Sequence, residues 1–126
     1  MELLNKSKYL ANKKVKIGTQ QITLSSGKTI ECELSISWDY DEYYDFEDLE
    51  TEIQEQINKN EISCMLIIVS ASFGSIECSL YLGGCFVGNP MTIAEIVETF
   101  RIDGDLIPDS IAELKNELNK LISKLT

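Results

Sequence analysis

Histidine is absent from the 126 residues. With it go the usual general base, the commonest zinc ligand and every catalytic triad that depends on imidazole. Arginine is almost absent too, since Arg101 is the one guanidinium in the chain. The Gly83-Gly84 pair does not open a helix with phosphate-binding spacing, so nucleotide binding has little support. The longest apolar run, Cys64 to Val69, is far too short to cross a bilayer. The N-terminus, Met1-Glu2-Leu3-Leu4-Asn5-Lys6, lacks the apolar stretch of a secretory signal. The cysteines Cys32, Cys64, Cys78 and Cys85 are spaced too widely for a zinc knuckle or a redox dithiol. A reducing, cytoplasmic setting is the expectation.

What is abundant is negative charge. There are 21 Asp and Glu against 11 Lys and Arg, for a formal net charge of −10 and a pI near 4.4. An acidic surface disfavours direct contact with nucleic acid or anionic lipid, which carry the same sign. The length fits one domain, residues 1–126, and 44% hydrophobic content suffices for a packed core.

The hydrophobic periodicity predicts an α+β fold in the order β-β-α-β-β-β-α-α. The expected architecture is an antiparallel, meander-like sheet of four or five strands with helices packed on one face. Residues 15–24 alternate, then change parity near Gly18, which predicts a bulge. Ser25-Ser26-Gly27-Lys28 supplies a turn. Ile30, Cys32, Leu34, Ile36 and Trp38 line one face of the clearest strand, with polar residues between them. Phe46, Leu49, Ile53 and Ile57 recur at helical spacing after Asp45, a natural N-cap, and the helix should end near Asn58-Lys59-Asn60. Residues 62–69 are apolar on both parities, as in a central strand covered on both sides.

After a turn at 72–75 another half-buried strand carries Ile76, Cys78, Leu80 and Leu82. Gly83-Gly84 should then reverse the chain into a short fifth strand at Cys85-Phe86-Val87. Thr92 with Glu95, and Ser110 with Glu113, have the spacing of helix-capping boxes. Ile111, Leu114, Leu118, Leu121 and Leu125 form a narrow seam that either closes the core or pairs with a second chain. Residues 1–13, with Lys6, Lys8 and Lys13, suggest a basic N-terminal arm.

Charge is distributed unevenly. Residues 29–60 hold eleven acids and one lysine, and the stretch from Asp39 to Glu55 has no basic residue at all. Five of the ten aromatics, Trp38, Tyr40, Tyr43, Tyr44 and Phe46, fall in the same region. Trp38 and Phe46 have core periodicity; the three tyrosines do not. Rigid aromatic area bordered by carboxylates is the composition of a surface that receives a basic protein. The candidate partner-binding residues are therefore Asp39, Tyr40, Asp41, Glu42, Tyr43, Tyr44, Asp45, Glu47, Asp48, Glu52 and Glu55. The competing reading is a solvated acidic face whose tyrosines lie flat on the sheet.

Two functional versions follow from the charge. The carboxylates can imitate duplex phosphates and occupy the groove of a restriction enzyme or CRISPR effector. Alternatively they cap the basic active site of a nuclease toxin. In composition the chain is similar to the small acidic inhibitors of phages and mobile elements and to immunity proteins. The expectation is a non-enzymatic inhibitor of a basic, nucleic-acid-handling partner. The alternative is a homo-oligomeric accessory protein that uses the 111–125 seam as its interface. No catalytic residue, cofactor or metal site is expected, because the Asp-x-Asp pairs at 39–41 and 103–105 lack a full oxygen ligand set. Cys32, Cys64 and Cys78 share parity with apolar strand faces and read as core thiols, whereas the role of Cys85 stays open.

Overall fold

The computed structural model describes residues 14–41 and 44–125. The basic arm expected at 1–13 and the site candidates Glu42 and Tyr43 lie outside the described residues.

Among the described residues four strands, β1 (Val15–Thr23), β2 (Thr29–Tyr40), β3 (Ile62–Phe73) and β4 (Ile76–Gly88), form one antiparallel meander in the order β1-β2-β3-β4. Three helices among these residues accompany it: α1 (Thr51–Asn58), α2 (Ile93–Thr99) and α3 (Leu106–Leu125). The β1 register shifts between Lys16 and Gly18, which carries both Ile17 and Ile22 into the core despite their opposite parity. In β2, Ile30, Cys32, Leu34 and Ile36 are buried, while Glu31 and Glu33 stand exposed on the other face.

Cross-strand partners share a face, so Ile36 opposite Val69, and Leu34 opposite Ala71, extend the apolar side across the sheet. Onto this side pack Ile93, Ile96 and Val97 of α2, then Ile102, and Ile107, Leu114 and Leu118 of α3. The second face of β3 is only partly covered, with Leu66 and Ile68 half-buried. Ser70 and Ser79 bond hydroxyl to hydroxyl there at 2.8 Å.

Several boundaries differ from expectation for local physical reasons. The helix expected from Phe46 is broken. A 3-10 turn at Phe46–Asp48 is followed by extended Leu49 and Glu50 before α1 begins. An unbroken helix would set Asp48 against Glu52 at the i, i+4 spacing where like charges repel. The Gln54 amide braces the break, donating to Leu49 O at 3.2 Å and, beside the Leu49 N–H, to Phe46 O at 2.8 Å.

Thr92 and Glu95 form the expected capping box. Ser110 is not a cap, because α3 opens one turn earlier at Leu106. Pro108 is its third residue, where a missing N–H breaks no helical hydrogen bond. Ser110 is buried and donates to Ile107 O at 2.9 Å. The seam read from 111 to 125 is rotated in the structure. Leu114 and Leu118 face the protein's own core, whereas Leu121 and Leu125 are 39% and 86% exposed.

The expected fifth strand is part of β4. Gly83-Gly84 produces no reversal; β4 runs on through Cys85, Phe86 and Val87, with a register shift between Met65 and Ile67 on β3 opposite.

Candidate partner-binding surface

The two glycines serve a close approach instead of a turn. Asp41 continues β2 past its last pair, its N–H donating to Cys64 O at 3.1 Å. Its carboxylate reaches across β3, and Oδ2 accepts the Gly84 N–H at 2.6 Å. A Cβ on Gly83 would sit 3.0 Å from that oxygen, and Gly84 has φ +67, a conformation side chains disfavour. Gly83 thus leaves the carboxylate its room, and Gly84 takes up the left-handed conformation without strain. Asp41 is a half-buried structural carboxylate as well as a member of the acidic stretch.

Around it lies an open groove of about 450 Å³. Among the described residues its walls are Tyr40 and Asp41 from the end of β2, Tyr44 and Phe46 from the loop, Ile57 from α1, and Asn60, Ile62, Ser63 and Cys64 leading into β3. The helix end that closes the groove is set by Asn60 at φ 62, a left-handed conformation that Asn tolerates better than most residues. Asn89 fastens this end, donating to Asn60 O at 3.1 Å and to Ser63 Oγ at 3.0 Å.

Tyr40 is 60% exposed. Its ring stands edge-to-face with Trp38, centroids 5.1 Å apart, and it also borders a smaller hollow of about 190 Å³ with Met65, Val87 and Met91. The Trp38 indole N–H is buried without a hydrogen-bond acceptor among the described residues. Tyr44 is no free rim residue: it is half-buried and packs edge-to-face on Phe86 at 6.2 Å.

The remaining candidates spread around the groove. Asp39 is exposed, and its Oδ1 accepts the Tyr40 N–H at 2.8 Å. Asp45 caps the 3-10 turn by accepting the Glu47 N–H at 3.1 Å, the N-cap role its position predicted. Glu47, Asp48, Glu52 and Glu55 are exposed. The lysines that form ion pairs do so elsewhere: Lys14 with Glu77, Lys16 with Glu33, and Lys120 with Glu117. Among the described residues, no ion pair reaches the acids from Asp45 to Glu55.

The field of Asp41 is felt inside the fold. Burial first, and the Asp41 charge second, push the Cys64 thiol above its ordinary value. Burial, the neighbouring Cys64 and Asp41 together push Cys85 up to about 11. Cys85 therefore stays a protonated core thiol at neutral pH. Cys32 and Cys78 are also raised, chiefly by burial. Among the described residues no three Cys, Asp or Glu side chains converge where a metal ion could sit, and no helix is long and apolar enough to cross a membrane.

Sequence reasoning located the acidic and aromatic rim but missed the opposite wall, Asn60 to Cys64, and the glycine pair that holds Asp41. Phe86, the support under Tyr44, was missed as well. Compared with protein-family models, curated proteins and solved structures, the chain matches none.

Proposed function

We propose that the chain is a non-enzymatic protein that binds and inhibits a basic, nucleic-acid-handling protein through the surface running from Asp39 to Glu55. The observation that carries this reading is the set of exposed carboxylates Asp45, Glu47, Asp48, Glu52 and Glu55, unpaired with any cation among the described residues and set beside an open aromatic groove. Crowded like charges weaken a fold by self-repulsion. A cationic partner offsets that repulsion on binding, the mutual attraction accelerates encounter, and the acidic surface competes with nucleic-acid phosphate for the partner's lysines and arginines. The partner class is a nuclease or CRISPR effector with a basic cleft, and the setting is the cytoplasm.

The test is competition. The protein is titrated against a fixed DNA duplex bound to purified nucleases of these classes, at low and at physiological salt. Beside it runs the variant Glu47→Gln, Asp48→Asn, Glu52→Gln, Glu55→Gln, which leaves the Asp41 and Asp45 backbone contacts intact. Displacement that weakens with salt and in the variant supports the reading. A variant that displaces DNA as well as the wild type refutes it.

A further inference from the structure

We propose that two copies of the chain join edge to edge along Ile76–Leu82 of β4, antiparallel about Ser79, so that two four-stranded sheets run on as one. The inference goes beyond the inhibitor reading and does not rest on the acidic surface.

The two edges of the sheet are built differently. β1 has nine residues, Lys14 and Lys16 at its start, and a bulge between Lys16 and Gly18. Lysines and bulges keep a strand edge from pairing with another chain. β4 has thirteen residues, and from Ile76 to Leu82 it carries no Lys, Pro or Gly before the register shift that faces Met65 and Ile67. Among the described residues, no backbone-to-backbone hydrogen bond joins this stretch to anything but β3. Its apolar side is also incomplete. Ala71, Val69 and Ile67 on β3 are fully buried, yet Cys78, Leu80 and Leu82 opposite them are only half-buried, and Tyr81 on the other face is 61% exposed.

The stretch fits a second copy of itself. With Ser79 on the two-fold axis, Ile76 meets Leu82 and Cys78 meets Leu80, while Glu77 meets Tyr81 instead of its own counterpart. Cross-strand partners share a face, so the half-buried apolar row of one copy continues that of the other. The blunted β1 edges then stop growth at two copies. Charge opposes the union. Each copy carries −10, and after burial it is the charges of Glu117 and Glu113 on α3 that raise the Cys78 thiol, which sets both acids along this edge. Association should therefore strengthen with salt, whereas docking of a cationic protein weakens.

Sedimentation equilibrium of the full chain, from micromolar to millimolar concentration and from low to physiological salt, reads the mass. Twice the 14.2 kDa of one chain is expected, reached at lower concentration as salt rises. Tyr81→Glu sets like charges opposite each other and should weaken association about tenfold; Tyr81→Lys sets opposite charges there and should keep the dimer. Leu125→Glu, at an exposed site outside this edge, should leave it unchanged. Circular dichroism and melting verify that each variant is folded. Amide exchange across Ile76–Leu82 should be slow in the dimer and faster in Tyr81→Glu.

The mass of one chain under every condition would overturn the proposal, and slow exchange in such a monomer would assign the edge to the chain's own residues. A dimer equally tight in Tyr81→Glu, or one lost in Leu125→Glu, would place the interface elsewhere and overturn it as well. Dissociation in Tyr81→Lys would overturn the pairing about Ser79.

Discussion

Replacing Leu114 by alanine tests where the C-terminal helix spends its apolar face. Leu114 is fully buried, on the side of α3 that packs against the sheet, beside Leu118 and Ile107. Leu→Ala at such sites costs about 2–5 kcal/mol, the upper half applying where rigid neighbours cannot collapse into the void. Here one wall is a hydrogen-bonded sheet and the other a 20-residue helix, so about 3–5 kcal/mol is expected. An unfolding entropy of about 2.1 cal/mol/K per residue gives about 0.26 kcal/mol/K for 126 residues, or about 4 °C of Tm per kcal/mol. The variant should therefore melt about 10–20 °C below the wild type, with a matching fall in urea midpoint and no change in mass by light scattering. Leu125→Ala, at an 86% exposed site, should stay within about 0.5 kcal/mol of the wild type. If Leu114→Ala proved neutral while Leu125→Ala destabilised the protein or changed its mass, the helix would be oriented toward another chain and this account of the core would be wrong.

Two further outcomes follow from the site. Gly84→Ala and Gly27→Ala both put a Cβ into open space at positive φ and should each cost about 1–2 kcal/mol of backbone strain in urea unfolding, whereas Gly83→Ala sets its Cβ 3.0 Å from the Asp41 Oδ2 and should cost stability only by displacing that carboxylate, a cost lost in the Asp41→Ala background. A Gly83→Ala cost that persists in the Asp41→Ala background would show that the close approach to Asp41 is not its cause. The thiols set an alkaline limit. Each is raised above the ordinary thiol value of 9.0 in the folded chain, Cys85 to about 11, so between those values the unfolded state has lost protons that the native state keeps. Stability is then full below about pH 9 and falls as pH rises toward 11. Denaturant titrations across this range should show the decline and its flattening in Cys85→Val; a flat profile in the wild type would refute it.

The sequence alone carried the strands, the sheet's apolar face, the bulge near Gly18, the Thr92 cap and the crowding of acids with tyrosines. Each of these is written in local periodicity or in the chemistry of adjacent residues, which act over one turn or one pleat. Only the tertiary structure decided the meaning of Gly83-Gly84, because a glycine pair permits either a reversal or a close approach. Here the strand runs on along β3, and a carboxylate 43 residues earlier in the chain accepts the Gly84 N–H. It likewise decided which leucines of α3 are core, since a seam's orientation depends on the sheet it meets. It also brought Asn60 to Cys64 opposite the tyrosine loop, turning a charged stretch into the wall of a groove. Contacts of that range are fixed when buried area is maximised over the whole chain, and no short segment contains them.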